Sequence, residues 1–90
     1  MALLNINKTD ITIPKDIGGI MHLNIYGRDD FYVENFKCII NFSDCELVIK
    51  GKISNHYIGN LCIYGSKFYI VFFDEIGIRI RGKIDEIRYS

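Results

Sequence analysis

Proline occurs once, at Pro14, and no apolar run is longer than Phe68–Phe73, far short of the roughly 20 residues that a membrane helix needs. No membrane span is therefore expected. Eleven basic residues balance eleven acidic ones, so the chain has no overall field with which to gather nucleic acid or anionic lipid. The cysteines, Cys38, Cys45 and Cys62, are odd in number and lack C-x-x-C spacing, which indicates neither a zinc site nor a closed disulfide framework. They read as reduced, mostly packed thiols of a cytosolic protein. The amino terminus turns polar straight after Met1-Ala2-Leu3-Leu4, unlike a signal peptide. Heptads, long amphipathic helical patterns and low-complexity tracts are missing, as are G-x-S-x-G, P-loop and dinucleotide-binding motifs.

What remains is strand material. Ninety residues make one small domain, and 49% of them are hydrophobic, with Ile, Tyr and Phe prominent, types suited to a pleated, half-buried surface. A short word recurs as Leu23-Asn24-Ile25-Tyr26-Gly27, Leu47-Val48-Ile49-Lys50-Gly51, Leu61-Cys62-Ile63-Tyr64-Gly65 and Ile78-Arg79-Ile80-Arg81-Gly82. In each copy two apolar residues and a glycine share one face of a strand. The copies are unevenly spaced, which argues against a regular solenoid. The expected fold is all-β, a small single-domain antiparallel sandwich or β-roll of about six to eight short strands.

Residues 1–19 form an irregular segment in which Thr9–Ile13 alternates as an edge strand before Pro14, and residues 20–90 form the single all-β domain. Ile20–Gly27 reads as a strand and Arg28-Asp29-Asp30 as a turn. In Phe31–Phe42, Asn35 marks a bulge or corner, after which Phe36, Cys38, Ile40 and Phe42 share a face. Ser43-Asp44 makes the next turn and Glu46–Ile53 the next strand. Leu61–Phe73 reads as a central hairpin, reversing tightly after Gly65 at Ser66-Lys67. Ile78–Tyr89 supplies the last strand or pair.

Acidic pairs at Asp29-Asp30, Asp74-Glu75 and Asp85-Glu86 fall at turns and ends, where nothing separates their pKa values for acid–base work. His22 and His56 have no companion ligands and read as ordinary surface residues. No catalytic, cofactor or metal residue is expected. Two surfaces stand out. Arg79, Arg81 and Lys83 make a basic stripe opposite Ile78, Ile80, Gly82 and Ile84, extendable by Arg88, Lys50 or Lys52. With nearby tyrosines it suits an OB-like single-stranded nucleic-acid binder, but the neutral total favours a solvated face with cross-strand partners. The run Phe68–Phe73 is apolar on both faces, with Phe68, Ile70 and Phe72 one way and Tyr69, Val71 and Phe73 the other. Cover from a second subunit or a partner is expected, with Phe68, Tyr69, Val71 and Phe73 as the interface.

Four segments also carry a family likeness. They are Ile13-Pro14-Lys15-Asp16-Ile17; Phe31-Tyr32-Val33-Glu34-Asn35-Phe36-Lys37-Cys38-Ile39-Ile40-Asn41-Phe42-Ser43-Asp44; Gly59–Ile70; and Ile78–Tyr89. Their order resembles the YabP/YqfC family of small sporulation proteins of endospore-forming Firmicutes, closer to the YqfC branch. The likeness spans nearly the whole chain, although Cys38 and Phe68 replace the family's usual small residue and leucine. It implies a non-enzymatic protein of the mother cell cytoplasm, peripheral at the forespore or spore envelope. It also implies a partner there, a sporulation membrane or coat protein, and brings no catalytic residues with it.

Overall fold

The computed structural model describes residues 19–90; the expected edge strand at Thr9–Ile13 and the Ile13–Ile17 segment lie outside the described residues. The strands are β1 (His22–Ile25), β2 (Asp30–Glu34), β3 (Phe36–Phe42), β4 (Glu46–Ser54), β5 (Tyr57–Phe73) and β6 (Gly77–Tyr89). They form one antiparallel sheet in the order β1-β2-β6-β5-β4-β3. The fold is all-β, as the alternation required.

The chain's own connectivity rolls this sheet. Only Asn35 separates β2 from β3, yet these strands stand four places apart in the order. In a flat sheet that separation is about 19 Å, beyond the reach of one residue. The sheet therefore curls until its two margins meet. Asn35 turns the corner with φ 64°, its backbone N–H donating to Ile76 O (3.0 Å) and its Nδ2 to Ile20 O (3.2 Å). Asparagine suits this left-handed position better than a branched residue. A further bond from Met21 N to Lys52 O (2.8 Å) ties the approach to β1 onto β4.

Inside the roll lie Phe31 and Val33 of β2, Leu47 and Ile49 of β4, Leu61, Ile63 and Phe68 of β5, and Ile78 and Ile80 of β6. Three copies of the recurring word supply six of these side chains. The first copy behaves differently: Leu23 is half-buried and Ile25 is exposed, because β1 is a margin strand paired only with β2 among the described strands. In β3 two register shifts break the alternation, so Phe36, Ile39 and Phe42 pack on the core while Cys38 and Ile40 are exposed. Cys45 is exposed too and only Cys62 is buried, so the thiols are not mostly packed.

The expected hairpin at Gly65 is absent. Residues 57–73 are one strand of 17 residues, bent rather than reversed, and β6 follows the bend over 13 residues. The register slips between Tyr64 and Gly65 and between Ser66 and Tyr69, and Lys67 adopts φ 59°. Such bulges sharpen local twist without ending the ladder. Phe68 turns into the core at the bend and meets Phe31 edge-on, with ring centroids 5.4 Å apart. Its ring occupies space that two glycines leave open. A Cβ on Gly65 would strike Lys83 O and the Phe68 ring, and one on Gly82, where φ is 146°, would strike the Phe68 ring and Lys67 O.

Gly82→Ala should therefore cost about 2–5 kcal/mol, combining overpacking with backbone strain. Gly27→Ala, where φ is 71° but the surrounding space is open, should cost only about 1–2 kcal/mol. Urea unfolding midpoints at unchanged slope compare the two; equal losses would remove the packing role given to Gly82.

Candidate functional site

The bend decides what the second half of β5 can touch. Before it, β5 lies between β4 and β6. Pairing with β4 runs from Ser54↔Tyr57 to Glu46↔Tyr64, and the margin closes with Gly65 N→Cys45 O (2.9 Å) and Phe68 N→Asp44 O (2.8 Å). Past Phe68, β5 keeps β6 on one side, and no described residue pairs with its other edge. Tyr69, Ile70, Val71, Phe72 and Phe73 form that edge, each 41–57% exposed, and Ile76 in the following turn is exposed as well.

Facing differs from simple alternation because a further shift lies between Ile70 and Phe72. Directly opposed residues of an antiparallel pair project to the same side. Ile70 opposes Ile80 and Phe73 opposes Ile78, so both point inward, and Phe73 stacks on Phe36 with centroids 6.0 Å apart. Tyr69 opposes Arg81 and Phe72 opposes Arg79, so both point outward. Of the four expected interface residues, Phe68 is in the core and Phe73 is on the inner side. Tyr69 and Val71 remain on the outer surface, joined by Phe72, which period-two reading assigns to the opposite face. Nothing in the local sequence marks Val71 as the extra residue.

These outward side chains line a shallow open cleft of about 200 Å³ together with Asp30, Arg79 and Arg81. Phe72 also leans on Tyr32, with centroids 5.8 Å apart. The basic stripe thus borders the apolar strand. It projects as expected, but its charges are matched. Arg79 Nε donates to Asp30 Oδ1 and Nη2 to Oδ2, both at 2.8 Å, and the guanidinium lies 4.8 Å from the Tyr26 ring centroid. Such a two-point pair holds a planar cation in one orientation. Arg81 approaches the same carboxylate at 3.9 Å, Lys83 pairs with Asp85 at 3.7 Å, and Arg88 pairs with Glu86 at 2.9 Å while covering Tyr64. The chief cross-strand partner is Asp30, which the sequence places in a turn and the structure places at the start of β2. The Arg79 hydrogen bonds hold its carboxyl below the ordinary value of 3.8 against the opposing effect of burial.

The remaining candidates do not converge. His22 and His56 are exposed, one at the start of β1 and the other in the turn between β4 and β5, and neither belongs to a cluster of possible metal ligands among the described residues. Asp74 is used locally, its Oδ1 accepting from Ile76 N and Gly77 N at 2.9 Å each. Among the described residues no three His, Cys, Asp or Glu side chains cluster as metal ligands, and no helix is long and apolar enough to cross a membrane.

Because the folded Asp30 binds its proton less tightly than the unfolded one, its ion pair contributes fully above the unfolded value near 3.8. That contribution fades as pH falls from there through the lower folded value. Asp30→Asn should thus be less stable than wild type at pH 7, with the difference shrinking below pH 4. Thermal midpoints across pH 2–7 test this; a difference independent of pH would refute the charge-based role. No protein-family model, curated protein or solved structure matches the chain.

Proposed function

We propose that this chain is a non-enzymatic interaction protein of endospore formation, acting in the mother cell at the forespore envelope with a membrane or coat protein as partner. The observation that carries the interaction role is the run Tyr69–Phe73, five consecutive apolar residues exposed at a sheet edge. Soluble proteins ordinarily shorten, charge or cover such edges. Elsewhere the same fold does so: the last half of β6 passes beyond β2 as Lys83–Tyr89, which carries Lys83, Asp85, Glu86 and Arg88. The Tyr69–Phe73 edge, by contrast, carries no charged residue, and no described residue pairs with it. The cellular setting rests on the resemblance to the YabP/YqfC family.

Nucleic-acid binding through Arg79, Arg81 and Lys83 has less to support it, since each cation already has an acidic neighbour. A backbone-tracking surface needs charge left over for phosphate.

The test is affinity capture from sporulating cells with wild-type and Tyr69→Lys baits. Tyr69 is 55% exposed, so the substitution leaves the core intact. An envelope or membrane protein recovered by wild type and lost with the variant is the expected result. Equal recovery by both baits, or none by either, would overturn the reading.

A further inference from the structure

The edge of β5 past Phe68, unpaired among the described residues, has charges only at its ends. Lys67 precedes the apolar run and Asp74-Glu75 follows it, all three exposed. Among the described residues neither Lys67 nor Glu75 has an ion partner within 4.0 Å. A strand that is cationic where it begins and anionic where it finishes is complementary to itself only when the second strand runs the opposite way. Parallel pairing would set lysine beside lysine and acid beside acid.

We propose that a second copy of this chain docks antiparallel along Tyr69–Phe73, joining the two sheets about a two-fold axis between Ile70 and Val71. This rests on the reading of that strand as a contact surface and names one of its occupants. The outward aromatics set the register: Tyr69 and Phe72 both project outward, and this axis sets Tyr69 of one copy opposite Phe72 of the other, an aromatic cross-strand pair, with the bulged Val71 falling at the axis, where the regular alternation is interrupted. The same axis brings Lys67 of each copy to the Asp74-Glu75 corner of its mate. The edge N–H and C=O groups gain ladder partners, as in other strand additions. Net charge is zero, so no overall repulsion opposes association. The contact is isologous and closes at two copies, which removes the bare edge and stops further addition. The two outer clefts then become neighbours on one continuous surface, leaving that face available to an envelope partner.

Sedimentation velocity on the full chain over a concentration series tests the pairing. A monomer–dimer equilibrium is expected, with Lys67→Glu raising the dissociation constant about tenfold because both symmetric contacts become repulsive, and Glu75→Lys raising it less because Asp74 still faces Lys67. The double variant Lys67→Glu/Glu75→Lys should bring it back part of the way from the Lys67→Glu value, since the introduced lysine then faces the introduced glutamate beside the retained Asp74. Both positions are exposed, and circular dichroism verifies that each variant folds. A chain monomeric at every concentration, or a dimer indifferent to these charges, would overturn the proposal. A monomer with slow amide exchange throughout Tyr69–Phe73 would also overturn it, pointing to cover from the chain's own residues 1–18. A chain that stays monomeric while Tyr69→Lys still abolishes capture fails the pairing alone, and a charge-sensitive dimer with capture unchanged by Tyr69→Lys fails the functional reading alone.

Discussion

The seating of Phe68 against Phe31, in the space left by Gly65 and Gly82, is the contact on which the rest of the molecule depends. Burying a phenylalanine contributes about 1.5–3 kcal/mol, and an edge-on aromatic pair adds about 0.5–1.5 kcal/mol. Those amounts are appreciable in a domain of this size, but the geometric consequence is larger. Long ribbons such as β5 and β6 must bend to line a small core, and the ring and two glycines set where they do so. On one side of the bend the ribbon lies beside β4, and on the other it lies beside β2. That change of neighbour closes the roll and also carries Tyr69–Phe73 past the end of β4. Core packing and the bare edge have the same origin.

Electrostatics in this protein are local. The total charge is zero, and along β6 the cations Arg79, Arg81, Lys83 and Arg88 each have an acidic neighbour, with Asp30 held between Arg79 and Arg81. Arg79 also lies over Tyr26, so one guanidinium joins β2, β6 and the residue that follows β1 on the solvent side. The surface that distinguishes the molecule is apolar. It is set between charges that it does not share, and its acidic and basic ends fit a symmetric contact better than a purely greasy one.

Much of this was legible in the residues. Period-two alternation gives the strand class, and the recurring word locates six core side chains in three of its copies. Asn35 is recognisable as a corner because few other residues accept a left-handed backbone. The stripe Arg79-Arg81-Lys83 follows directly from the parity of β6. Other features depended on neighbours that a linear pattern does not contain. A glycine followed by Ser66-Lys67 between two alternating runs is compatible with a reversal or with a bulged bend. Lys67 takes a left-handed conformation that a tight turn also uses. The pairing partner decides, and here both halves of β5 pair with the same β6. The extra residue at Val71 and the two slips in β3 are equally silent, since no glycine or proline marks them. Each moves the following side chains to the other face, which exchanges Phe72 with Phe73 and Ile39 with Ile40.

The central claim is that Tyr57–Phe73 is one bent strand running along β6. Cross-strand nuclear Overhauser contacts test it most directly. Continuous pairing should give contacts from Ile63 to Ile87 on one side of the bend and from Ile70 to Ile80 on the other. Backbone contacts joining Leu61–Tyr64 to Phe68–Val71, the signature of a hairpin closed at Ser66-Lys67, would contradict it.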